Sequence, residues 1–153
     1  MTLRLRVQEA EQIHAHVSRA YPEEGCGVLL GWDRGDAREV ARAVPIQNQH
    51  EDSKGNRYLI APEQFLAAER EARDAGLDVV GFFHSHPDHP ARPSAFDLEH
   101  AWPFYSYMIV CVEHGRATDM RAWRLAEDRS GFEPETLEVL SDGTPGQGGD
   151  RGA

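Results

Sequence analysis

The sequence predicts an α+β domain in three layers, a mixed central β-sheet flanked by two or three helices. Three observations carry that reading. The apolar run Val79–Phe83 has the length of a strand buried on both faces, and neither it nor Met108–Val112 approaches the length of a bilayer span. Two segments, Val7–Ala20 and Pro62–Ala75, carry apolar residues at helical spacing. The remaining apolar runs are short and separated by glycine- and aspartate-containing turns, which is the pattern of hairpins.

In chain order, Thr2–Arg6 alternates charge with leucine and reads as a first strand. The helix over 7–20 has its stripe at Ala10, Ile13 and Val17, with His14 and His16 off it. Tyr21-Pro22 ends it, because proline cannot continue a helix and disfavours helix in the residue before. Gly25–Trp32 and Ala37–Gln47 form a hairpin about the turn Asp33–Asp36. The polar stretch Asn48–Arg57 is the longest internal loop and could close over a substrate; Tyr58–Ala61 reads as a short strand. Pro62 occupies a first helical position, the stripe runs through Phe65, Ala68, Ala72 and Ala75, and Gly76 stops the helix. Leu77–His86 is the central strand, Asp88–Pro93 a proline-rich loop, and Ser94–Trp102 a third helix. Strands follow at Tyr105–Val112 and Met120–Leu125, turning near Gly115, with another at Thr136–Leu140. The domain is expected to span 1–140, and 141–153, rich in glycine and small polar residues, to be a disordered tail.

At 153 residues with 40% hydrophobic and 27% charged residues, the chain is one globular domain that can bury a core. A formal charge of −10 with no clustered basic face argues against a nucleic-acid partner. The alternating N-terminus lacks the apolar stretch of a signal peptide, so no membrane association and a cytoplasmic location are expected. Cys26 and Cys111 do not make a disulfide framework and sit in apolar runs, as small buried hydrophobes do.

The chemistry concentrates at His84-Ser85-His86-Pro87. Histidines two apart at the end of a buried strand project to one side of it. His-x-His also occurs on solvated strand faces, so a third donor is needed. Asp97, eleven residues after His86, can supply it from the start of a helix. His84, His86 and Asp97 would leave a zinc ion one position for water, as catalytic sites do. Taken by itself, Ser94-x-x-Asp97 reads first as a capping box. Positions i and i+3 share a helix face, however, so Ser94 could also aim a hydrogen bond at an oxyanion. The two roles of that one hydroxyl are expected to compete. Glu24, beside Gly25 and Gly27, is the candidate base; the glycines admit close approach of backbone or substrate.

Glu24, then His84-x-His86-Pro87, seven residues, and Ser94-x-x-Asp97 together resemble the full signature of the JAMM (MPN+) zinc metalloproteases, small bacterial type. The resemblance extends over Leu5–Leu125 and includes Tyr21–Gly31 and Tyr58–Glu63. It implies the cytidine-deaminase-like MPN fold and one zinc per chain on His84, His86 and Asp97. It also implies Glu24 as general acid/base, with Glu23 its solvated neighbour, and Ser94 as oxyanion stabiliser. Ser85 receives no role; His89 and Asp88 are expected to be solvent-exposed. The implied reaction is hydrolysis of an amide bond after the Gly-Gly end of a ubiquitin-like protein, a sulfur carrier for the small bacterial members. The carrier's extended tail could add as a strand at an exposed sheet edge. Two other functions remain open: a metal-free MPN scaffold, whose relatives have lost ligands that this chain retains, and the same hydrolase acting on an unrelated peptide.

Overall fold

The structure is a computed structural model, and it describes residues 1–48 and 60–141. Seven strands and three helices follow in the order β1 (Thr2–Arg6), α1 (Val7–Ala20), β2 (Cys26–Asp33), β3 (Ala37–Ile46), α2 (Pro62–Asp74), β4 (Asp78–Pro87), α3 (Ala95–His100), β5 (Ser106–Glu113), β6 (Arg116–Leu125) and β7 (Phe132–Leu140). The sheet is mixed, as expected. β4 runs parallel to β5, and β1 runs parallel to both β3 and β7, while the other pairs are antiparallel.

What the sequence reading did not anticipate is closure. β7 pairs with β1 over Thr136–Leu140, and the strands join in the circular order β1-β3-β2-β4-β5-β6-β7. Closure removes most of the free edge at which a substrate tail could add. Among the described residues, β6 before Ala122 and β3 beyond Glu39 have a ladder on one side only.

The sheet curls around α1. Ile13 and Val17 of that helix pack with Leu3, Leu5, Leu29, Phe83, Met108 and Val110 in one buried cluster. On the opposite face Val28, Leu30, Phe82 and Tyr107 pack with Ala68 and Ala72 of α2. These two faces give the three layers. α2 ends where its glycine requires it: Gly76 adopts φ +72°, Leu77 N–H donates to the Ala72 carbonyl at 2.7 Å and Gly76 N–H to Arg73 at 3.1 Å.

Several boundaries differ from expectation. α3 stops at His100 and not at Trp102, because the chain is extended at Ala101, beyond which Tyr107 Oη accepts the Trp102 N–H at 2.7 Å. β6 begins at Arg116 and β7 at Phe132, lengthened by pairing along β5 and β6 that polar composition alone does not signal. The short strand expected at Tyr58–Ala61 is not formed at Ile60 and Ala61, and its first two residues lie outside the described ones. So do the loop after Asn48 and the tail after Ser141. No described helix is long and apolar enough to cross a membrane.

Candidate metal centre

The two-residue alternation of β4 builds the centre. Phe82, His84 and His86 fall on the face that carries α2 and α3, while Phe83 points to the α1 side. Antiparallel pairing sets Cys26 of β2 opposite His84, which brings Glu24, two residues earlier, alongside His86. The crossover from β4 to β5 then delivers α3, with Asp97 in its first turn, over the carboxyl end of β4. His84, His86 and Asp97 are brought together as expected: all three are buried, and their ligand atoms lie within 4.8 Å of one another.

The donor set fits a zinc ion. His84 Nε2 lies 3.2 Å from His86 Nε2 and 3.2 Å from Asp97 Oδ1; His86 Nε2 lies 3.1 Å from Asp97 Oδ2. Tetrahedral ligands with bonds near 2.05 Å stand about 3.3 Å apart, so the separations match one shared cation. His86 Nδ1 lies 2.8 Å from the Pro90 carbonyl, which can only accept. Nδ1 therefore carries the proton and Nε2 presents its lone pair inward.

The electrostatics fit the same centre. Burial lowers the His84 pKa below its ordinary value, against the pull of Asp97. Burial also opposes charge on His86, but the Asp97 hydrogen bond and charge, with Pro90 and Glu24, carry its pKa up. Burial would raise the Asp97 pKa, yet His84, His86 and the Ser94 N–H hold it well below the carboxylate range.

The two adjacent glutamates part company. Glu23 is exposed, whereas Glu24 is 4% exposed and its Oε1 has no hydrogen-bond partner among the described residues. Burial pushes the Glu24 pKa up to about 8, with the His86 charge lowering it and the Asp97 charge raising it. Two residues that the sequence reading left without a role hold Glu24. Ser85 Oγ accepts the Gly25 N–H at 2.8 Å, and Asn48 Nδ2 donates to the Glu24 carbonyl at 3.1 Å. The only sequence signal for Ser85 was a small hydroxyl on the strand's opposite face; for Asn48 there was none. Gly27 admits no substrate. A Cβ there would sit 2.2 Å from the Phe83 ring, so the close approach serves core packing.

Ser94 and Asp97 form the capping box in full: Ser94 Oγ accepts the Asp97 N–H at 3.1 Å and Asp97 Oδ2 accepts the Ser94 N–H at 2.8 Å. Capping uses a lone pair of Ser94 Oγ, and its hydroxyl hydrogen remains available to donate. His89 and Asp88 are exposed, as expected, and Asp88 is structural: its carboxylate accepts from Tyr21 Oη at 2.5 Å and His114 N–H at 2.9 Å. Cys26 and Cys111 are buried and free, the Cys26 thiol pushed up to about 12 by burial and then by the Glu24 charge.

Comparison with known proteins agrees with this geometry. Residues 7–126 match the family of prokaryotic homologs of the JAB domain. The chain belongs to that family. It is 43% identical over 98 residues to a desampylase from Haloferax volcanii, covering 63% of this chain and 68% of the relative. A CysO-cysteine peptidase from Mycobacterium tuberculosis is 31% identical over 131 residues, 85% of this chain and 87% of the relative. A solution structure of a protein from Desulfitobacterium hafniense superimposes with a TM-score of 0.80 at 32% identity, covering 92% of this chain and 94% of that one. This JAB-family chain therefore carries the fold together with a complete His-His-Asp donor set.

Proposed function

We propose that the chain is a cytoplasmic zinc metallopeptidase that hydrolyses the amide bond after the Gly-Gly end of a ubiquitin-like sulfur carrier. One observation carries the reading: two imidazole nitrogens and a carboxylate converge on one point near a buried glutamate whose Oε1 has no partner among the described residues. Free buried cysteines suit a reducing compartment. The similarity to a desampylase and a CysO-cysteine peptidase supports a carrier-type substrate.

His84, His86 and Asp97 would hold the zinc. When bound, that ion supplies a Lewis acid for the scissile carbonyl and lowers the pKa of water toward about 7. Glu24, its pKa raised by burial to about 8, is suited to accept the proton of the attacking water and return it to the leaving amine. Ser94 keeps its hydroxyl hydrogen for the carbonyl oxygen as negative charge develops there. Ser85 and Asn48 hold the one peptide unit that joins Glu24 to Gly25, at its N–H and its carbonyl.

Zinc per chain and release of the residue following Gly-Gly from a carrier, measured in the parent and in Asp97→Ala, test the proposal. The expected result is about one zinc and hydrolysis in the parent, with little of either in the variant. A parent that takes up no zinc after incubation with it overturns the hydrolase reading and leaves the metal-free scaffold.

A further inference from the structure

A cleft of about 480 Å³ opens over the centre, lined by Glu24, His86, His89, Pro90, Arg92 and Ser94, with Ala95 and Phe96 behind. Among the described lining residues Arg92 is the one permanent charge, and Glu24 contributes a carboxyl. Arg92 is exposed and makes no hydrogen bond or ion pair among the described residues. In a chain with 26 acidic and 16 basic residues, an arginine has many carboxylates to choose from. This one pairs with no described carboxylate, and it stands on a loop that is held firmly. The Pro90 carbonyl lies 2.8 Å from His86 Nδ1, the Ala91 carbonyl accepts from Trp123 Nε1 at 3.1 Å, and Ala91 is buried. Pro93 and the Ser94 cap follow directly. The backbone of Arg92 is thus set in place before any ligand arrives.

We infer that Arg92 receives the free carboxylate of the departing residue, so that the preferred scissile bond joins the carrier to a single amino acid at a chain end and not to a lysine side chain. The inference rests on the metallopeptidase reading above. When the leaving group is an α-amino acid, its carboxylate is attached to the carbon that bears the leaving nitrogen. It must therefore lie in the cleft that holds Glu24, near the Asp97 carboxylate, which by itself would repel it. A guanidinium in the same cleft offsets that repulsion and can grip both oxygens. When the leaving nitrogen belongs to a lysine side chain, uncharged methylenes occupy that space and Arg92 gains nothing.

The test uses a peptide ending in Gly-Gly-Ala as the free acid and as the C-terminal amide, with zinc-loaded parent, Arg92→Ala and Arg92→Lys. Release of alanine or alaninamide is followed, and affinity is measured by calorimetry with Glu24→Gln alone and combined with Arg92→Ala. The parent is expected to favour the acid by about fivefold, the range of an exposed ion pair. Arg92→Ala should remove that preference, chiefly through KM, and leave the amide unchanged, while Arg92→Lys restores part of it. Equal treatment of acid and amide by the parent, no detectable binding included, overturns the inference. So does an Arg92→Ala variant that weakens both ligands alike, which would set Arg92 against the peptide body. An acid preference in binding without any hydrolysis by the parent would instead sink the peptidase reading and leave the carboxylate site standing.

Discussion

Two buried polar clusters flank the middle of β4, and they are satisfied in opposite ways. At its amino end Arg38 of β3 is 5% exposed, and its guanidinium donates to the Val80 carbonyl at 3.3 Å, Ser106 Oγ at 3.1 Å, Asp33 Oδ2 at 3.2 Å and the Phe104 carbonyl. Nearby, Arg124 and Glu135 pair at 3.1 Å; each keeps one atom without a partner among the described residues, but their charges cancel. At the carboxyl end the Nε2 atoms of His84 and His86 and the Asp97 carboxylate lie 3.1–3.2 Å apart with no permanent cation among them, and Glu24 Oε1 has no hydrogen-bond partner among the described residues. The first cluster contains its own cations and fastens β3, β4 and β5 together. The second gathers two imidazoles and two carboxyl groups without a cation of its own, a composition that can take one from outside. Burial of charge does not separate the two; the presence of a built-in cation does.

Metal dependence should break the symmetry most sharply. Zinc at about a thousandfold excess over its Kd should stabilise the parent by about 4 kcal/mol, on the order of 10 °C in Tm, with no effect on Asp97→Ala. An equal shift in both proteins would mean that zinc binds elsewhere. Glu24→Gln should retain zinc and lose hydrolysis by about 10²–10⁴-fold, read from kcat with metal content alongside. Near-parental turnover would remove Glu24 as the base. Arg38→Met should do the reverse, costing about 2–4 kcal/mol in denaturant unfolding while zinc stoichiometry stays unchanged. If it also lost zinc, the two clusters would be one unit. Ser94→Ala removes both the cap and the remaining hydroxyl donor, for about 1 kcal/mol of stability and a drop of about 10²-fold in kcat. Ser94→Gly, which costs a cap little, separates the two effects.

The smallest effect concerns pH in the zinc-free protein. The Glu24 carboxyl titrates near 8 in the fold, above its ordinary 4.5. A raised folded pKa means that the stabilising proton is fully present below the unfolded value, and its contribution is lost as pH rises through the folded one. Glu24→Gln should therefore melt like the parent near pH 4 and increasingly above it between pH 5 and 8, by a few kcal/mol at most. Parallel melting curves across that window would show that Glu24 is not held protonated by burial.

Much of the molecule was legible in the sequence because it is local. The alternation of Thr2–Arg6, the stripe Ala10, Ile13 and Val17, the Pro62 start and Gly76 stop, and the run into His84 and His86 each depend on a few neighbouring residues. Periodicity likewise put both histidines on one face and Asp97 at a helix start, and the resemblance to a known signature singled out Glu24. Polar strands were the weak point: Arg116–Asp119 and Phe132–Glu135 have no apolar period, and only ladder partners make them strands.

Tertiary structure decided what depends on pairing across distance. The parallel union of β7 with β1 closes the sheet, and hydrogen bonds between segments more than 130 residues apart leave no trace in a local pattern. The β2–β4 register buries Glu24 and leaves Glu23 in solvent, since a shift of one residue would exchange them. The same register hands Ser85 its role at the Gly25 N–H. Residue types and spacing along the chain determined which candidate donors exist; the closed sheet determined that the two imidazoles and the carboxylate meet at one buried point.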